Sequence, residues 1–198
     1  MNGPDTELLA AVARVVAVFQ ELGVEYLIGG SIASSVFGEP RQTIDADLIV
    51  RLFGRHAEPL VQMLSAEFYA DLPSIMSAIQ TQGSFNLIHL ETATKVDVFV
   101  RWRDEFAQSQ LERRQEKTVG QSKELKLFFA SPEDTVLAKL EWYRKGGCVS
   151  EKQWRDLLGV LKVQSNSLDR GYLLRWAEIL EVSDQLRRAL TEAGLSSK

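Results

Sequence analysis

The chain has 198 residues, a formal net charge of −4, 45% apolar and 25% charged residues, and a single cysteine, Cys148. This composition fits one well-packed globular domain with room for a small second lobe, and it argues against a wholesale polyanion binder. One cysteine excludes an internal disulfide, no apolar run reaches the roughly 20 residues of a membrane span, and the first apolar run lacks the basic residues of a signal peptide. The expected location is therefore cytoplasmic.

In chain order, residues 6–22 place Leu8, Leu9, Val12, Val15, Val16, Phe19 and Leu22 at helical spacing, with Asp5 or Thr6 as cap and Gly23 just past the end. Residues 24–28 form a short apolar strand that Gly29 and Gly30 break. A helix of small residues runs from Ser31 to Phe37, and Gly38-Glu39-Pro40 ends it. Arg41, Thr43, Asp45 and Asp47 then alternate along a second strand, opposite Ile44, Ala46, Leu48 and Val50. Residues 54–70 and 73–80 follow as helices. Residues 85–90 and 95–100 pair as a hairpin, 104–115 form a polar exposed helix, and KELKLFF, at 123–129, is a further strand.

From residue 131 onward the pattern is helical. Ser131 caps a helix with Pro132 in its first position and Asp134 as the capping-box acid, and Gly146 and Gly147 end it. Ser150 and Gln153 open a second box, and the short connection makes these two helices antiparallel neighbours. Residues 168–180 and 183–193 supply two more helices. The expected organisation is an α/β core over 1–130, a mixed sheet flanked by helices, with a helical lobe over 131–198 packed on it.

The chemistry concentrates in residues 26–50. Asp45 and Asp47, two apart on one strand, point to the same face with Cα atoms roughly 7 Å apart. Asp97 sits inside the apolar strand KVDVFV, where an unpaired carboxylate is costly unless a cation offsets it. A Gly29-Gly30-Ser31 turn leading into a helix offers backbone N–H groups to an anion. Three acids beside such a turn suit Mg²⁺ or Mn²⁺ holding a nucleoside triphosphate, since Mg²⁺ prefers a few carboxylates plus substrate phosphates.

GGSIASSVFG, RQTIDADLIV and KVDVFV together resemble the nucleotidyltransferase superfamily with the DNA polymerase beta-type fold. The resemblance covers about half the chain. It implies that Gly30 and Ser31 contact nucleotide phosphates and that Asp45, Asp47 and Asp97 bind the metal. Together with SPEDTVLAKLEWYRKGG and QWRDLLGVL, these stretches look like the AbiEii/AbiGii-type toxin nucleotidyltransferases and their small relatives. That resemblance implies nucleotide-binding roles for Lys139 and Asp156, with Lys139 neutralising charge on the triphosphate. The competing reading of the residues alone puts Lys139 on a solvated helix face and Asp156 in an ion pair with Arg155 or Lys152. Arg41 is expected to orient a carboxylate or phosphate.

The expected reaction is transfer of a nucleoside monophosphate from an NTP to an acceptor hydroxyl on an RNA end, a protein or a small molecule, with a cognate antitoxin as a further partner. The competing reading is a non-catalytic nucleotide-binding or toxin–antitoxin partner protein of the same fold. Trp142, Trp154 and Trp176 read as core. Arg101, Arg103, Arg113, Arg114 and Lys117 form a basic cluster that is either a solvated face or a track for nucleic acid. His56 and His89 read as a surface and a strand residue, not metal ligands.

Overall fold

The computed structural model describes residues 4–119 and 125–195. They form a mixed α/β protein whose residues divide into two compact units, 1–29 with 42–129, and 30–41 with 130–198.

The first unit is built on a seven-stranded mixed sheet in the order β3-β4-β5-β2-β1-β7-β6. Its strands are β1 (Tyr26–Ile28), β2 (Asp45–Val50), β3 (Phe68–Tyr69), β4 (Ser84–His89), β5 (Lys95–Val100), β6 (Gln115–Val119) and β7 (Leu125–Phe129). The central pair β2 and β5 is parallel, β4 and β1 flank it antiparallel, and β1 runs parallel to β7. Both central strands alternate: Ala46, Leu48, Val50, Val96, Val98 and Val100 are fully buried, while the residues between them are partly open. That alternation is the mark of a sheet with one face in the core. Helix α1 (Pro4–Glu21) packs on β2, β7 and α3 (Gly54–Leu64), and α4 (Leu72–Thr81) packs on β4 and β5. Helix α5 (Glu105–Arg113) contacts β1, whose three residues are all buried.

The second unit is all helical. It holds α2 (Gly30–Phe37), α6 (Pro132–Lys145), α7 (Glu151–Val163), α8 (Arg170–Ile179) and α9 (Ser183–Glu192). Helix α2 packs on α6 and α7, which pack on each other as the short connection requires. Ser131 caps α6 as the sequence predicts: its Oγ accepts from the Asp134 N–H at 3.1 Å and donates to Asp134 Oδ2 at 2.7 Å. The same carboxylate accepts from Tyr172 Oη at 2.6 Å, tying α8 to the start of α6.

Gly38, at the end of α2, has a packing reason to be glycine. A Cβ there would lie 2.8 Å from both Ser34 O and Val160 N, backbone atoms on either side. Neither can swing away as a side chain would. Gly38→Ala is expected to destabilise the protein by about 1–3 kcal/mol, the usual range for overpacking, read as a lowered thermal midpoint.

Several local expectations change. The helix from Gly54 stops at Leu64, because Phe68 and Tyr69 pair with His89 and Ile88 as an edge strand. Tertiary strand pairing overrides local helix propensity there. The polar helix ends at Arg113, buries Phe106, Ala107, Gln110 and Leu111, and gives way to β6, which pairs antiparallel with β7. Strand β2 starts only at Asp45, so Arg41 and Thr43 lie outside it and Ile44 is 78% exposed. Trp154 is core, but Trp142 is half exposed. His56 is buried, and its Nδ1 accepts from the Phe53 N–H at 3.2 Å in the first turn of α3. Burial, followed by the neighbouring charge of Arg55, lowers its pKa. The side chains of Asp5 and Thr6, and residues 120–124, where KELKLFF begins, lie outside the described residues.

Candidate active site

The partly open face of the central strands carries a small grid of side chains set by register. Asp47 on β2 is level with Asp97 on β5, which is level with Asn86 on β4. One row away, Asp45 is level with Lys95 and then Ile88. In the other direction, Ile49 is level with Phe99 and then Ser84. Adjacent strands lie about 4.8 Å apart, so the parallel pairing of β2 and β5 makes neighbours of two acids 50 positions apart. Asp45 joins them on the same face because it is two residues before Asp47.

From its place in an apolar strand, Asp97 needs a cation. The structure supplies one from the protein: Lys95 Nζ lies 2.8 Å from Asp97 Oδ2. The Asp97 side chain is 18% exposed and that of Lys95 43%, so the lysine overlies the more buried carboxylate. The hydrogen bond to Asp97 raises the Lys95 pKa. Burial opposes this, and the charges of Asp97, Asp45 and Asp47 add to the rise. The same i, i+2 rule that paired Asp45 with Asp47 also places Lys95 with Asp97, so the signal was present in KVDVFV. Asn86, exposed beside Asp97, could not be found that way, because strand register is not written in local sequence.

Whether this face fits a divalent cation turns on its donors. Three carboxylates from two adjacent strands, with the Asn86 amide beside them, are the hard oxygen ligands that Mg²⁺ and Mn²⁺ prefer. Among the described residues no three His, Cys, Asp or Glu side chains are grouped tightly enough to hold a metal ion. A cation bound here would be held only in part by these side chains and would complete its shell with ligand oxygens.

Gly29 belongs to this unit, and its N–H donates to Asp47 O at 2.9 Å, extending the β1–β2 ladder. Gly30 is the first residue of α2 and has φ of +54°, a conformation that favours glycine.

Within the helical unit, four of the residues named from sequence form one chain of contacts. Arg41 grips Asp156 with two bonds, Nε to Oδ1 at 2.8 Å and Nη2 to Oδ2 at 2.7 Å. The same Nη2 also donates to Ser31 Oγ at 2.7 Å. Lys139 Nζ reaches Asp156 Oδ2 at 2.9 Å and Gln153 Oε1 at 3.1 Å. The Ser35 hydroxyl, between the Ser31 and Arg41 carbonyls at 3.0 and 3.2 Å, holds the end of this loop against the start of α2. Lys139 is not on a solvated face: it is 4% exposed. Nor is Asp156 paired with a helix neighbour; its charge is met by Arg41 and Lys139. Burial pushes the Asp156 pKa up, but the hydrogen bonds and charges of Arg41 and Lys139 outweigh it and hold the carboxyl below its usual value. Gln153, expected only as a capping-box residue, gives its side-chain carbonyl to Lys139.

No protein-family model and no curated protein matches the chain. Solved structures do. An antigenic nucleotidyltransferase-like protein from Paracoccidioides brasiliensis is 19% identical with a TM-score of 0.56, over 94% of this chain and 91% of that one. The antibiotic-resistance factor ANT(2'')-Ia, in complex with adenylyl-2''-tobramycin, is 14% identical with a TM-score of 0.58, over 89% of this chain and 97% of that one. A lincomycin-bound lincosamide antibiotic adenylyltransferase is 16% identical with a TM-score of 0.50, over 79% and 96%. The chain has the fold of the nucleotidyltransferase-like proteins.

Proposed function

We propose that the chain is a metal-dependent nucleotidyltransferase that moves a nucleoside monophosphate from an NTP to an acceptor hydroxyl. The observation that carries this reading is the register of β2 and β5, which sets Asp47 beside Asp97 with Asp45 on the same face. Mg²⁺ or Mn²⁺ held by these carboxylates would supply Lewis-acid activation of the hydroxyl and charge neutralisation of the leaving pyrophosphate. Asp97 orients the acceptor hydroxyl. Asp45 and Asp47 serve the triphosphate side. Gly29 carries no side chain to obstruct the turn, and Gly30 and Ser31 offer amides at the start of α2, where a helix favours an anion. The Ser31 oxygen accepts from Arg41, which leaves its own O–H to donate to a phosphate oxygen. In this reading Arg41 is the nucleotide-facing cation, Asp156 fixes its orientation, and Lys139 acts through Asp156.

Two of the neighbours in fold are bound to lincomycin and to adenylyl-2''-tobramycin. The surface chemistry here favours a polyanion such as an RNA end. Arg103 lies over Trp102 at 4.3 Å, Arg55 over Phe53 at 4.9 Å and Arg101 over Phe99 at 6.0 Å, with the Phe53 and Trp102 rings 5.7 Å apart. Stacked guanidinium and aromatic groups suit bases and phosphates. A toxin paired with an antitoxin, as in the abortive-infection systems, is the proposed biological setting. There, growth arrest on expression would require Asp47.

The test supplies the purified protein with each labelled NTP, Mg²⁺ or Mn²⁺, and in parallel total RNA, cell protein and an aminoglycoside. Label should pass to one acceptor class and vanish in Asp45→Ala/Asp47→Ala. Nucleotide binding with no transfer to any acceptor would assign the non-catalytic alternative. Absence of both nucleotide and metal binding would refute both.

A further inference from the structure

Strands β2 and β5 carry three carboxylates, Asp45, Asp47 and Asp97, and β5 also carries a cationic side chain, Lys95. The lysine is placed where it matters: level with Asp45, two residues before Asp97, and bonded to Asp97 at 2.8 Å. It is the more exposed partner, so the ammonium can leave while Asp97 stays. A lysine is a point charge on a flexible stem and can change partners without a change of backbone.

We infer that Lys95 is a resident counter-cation of the acid face. It occupies Asp97 in the metal-free protein and must pass to another anion before Asp97 can serve a divalent cation. A triphosphate provides that anion. Cation uptake at this face is thereby made to follow nucleotide binding, and Lys95 becomes a phosphate contact in the loaded state. The inference rests on the metal-dependent reading above, and its test separates the two.

The probe is Mn²⁺, with free ion followed by its paramagnetic resonance signal and the full chain titrated at fixed ionic strength. Titrations are run without nucleotide and with a non-hydrolysable α,β-methylene triphosphate. Lys95→Met should bind Mn²⁺ alone about tenfold more tightly than wild type, because a repelling charge in contact with one ligand is gone. Lys95→Arg should stay near wild type. With the analogue present, the gap between Lys95→Met and wild type should close to within about threefold. Lys95→Gln repeats the measurement should the methionine variant melt early. Equal Mn²⁺ affinity in wild type, Lys95→Met and Lys95→Gln overturns the inference. If Asp97→Asn abolishes Mn²⁺ binding in that case, the metal reading stands and Lys95 is a structural partner only. If Asp47→Asn and Asp97→Asn also leave Mn²⁺ binding unchanged, the metal reading falls and takes the inference with it.

Discussion

Asp47→Asn and Asp97→Asn are each expected to lower the rate of nucleotidyl transfer by about 10³-fold or more, roughly 4 kcal/mol of transition-state stabilisation. The amide keeps the shape of the carboxylate and removes its charge, so the loss reads out the charge alone. The stability change should run the other way. Asp45, Asp47 and Asp97 repel one another across two adjacent strands, and Lys95 offsets the charge of Asp97. Neutralising Asp47 removes repulsion that folding otherwise has to overcome, so its thermal midpoint should be equal to or above wild type. An active-site carboxylate should show this trade of activity against stability, whereas a structural acid should lose stability without a selective loss of rate. Single-turnover transfer measured beside a melting curve distinguishes the two, and wild-type transfer rates in both variants would remove the acid face from the chemistry.

Asp156→Ala should be the most destabilising of these changes, by about 3–5 kcal/mol. It removes the carboxylate that meets the Lys139 ammonium at 2.9 Å, and that side chain is only 5% exposed. It also removes both Arg41–Asp156 bonds, but at 26% exposure that guanidinium can recover water. For a chain of this length the change corresponds to a fall of about 10 °C in thermal midpoint. The double variant Lys139→Met/Asp156→Leu removes both buried charges and should recover most of the stability, because well-packed apolar residues often replace a buried ion pair at little cost. If the double variant transfers nucleotide as wild type does, Arg41 does not need Asp156 to orient it.

The pH dependence of this term has a defined sign. The folded-state pKa of Asp156 is held below its unfolded value. Its stabilisation is therefore complete above about pH 4, near the unfolded value, and is lost as pH falls through the folded value. The stability gap between wild type and Asp156→Asn should narrow on acidification across that window, measured by denaturant titration. A gap that widens towards acid would mean the charged form of Asp156 is not the stabilising one.

How much was legible in the sequence differs by element. The alternation in residues 45–50 and 95–100 identified two central strands and the face carrying each acid, since strand periodicity is local and strict. The Ser131 and Ser150 caps were equally readable, because a cap bond spans three residues. The edge strand at Phe68 and Tyr69 reads locally as helix, since its pairing with β4 is a tertiary contact with no local pattern of its own. Strand β6, QEKTV, is polar and short, and only its partner β7 makes it a strand. The alternation carried back to Arg41 overruns the start of β2 by four residues. It belongs instead with the helical unit, where its partner, Asp156, lies 115 positions away.

By itself, the sequence determined the identities of the acids, the strand face on which Asp45 and Asp47 stand, the glycine turn that opens α2, and the helical character of everything past residue 131. These follow from periodicities of two and 3.6 residues and from capping chemistry, which act over a few positions. Only the tertiary structure decided that Asp47 and Asp97 share a row, that Lys95 meets Asp97, and that Arg41, Asp156 and Lys139 form one ionic group. Those facts depend on strand register and on which helices pack together. Both are fixed by burial summed over the whole chain, not by any local stretch.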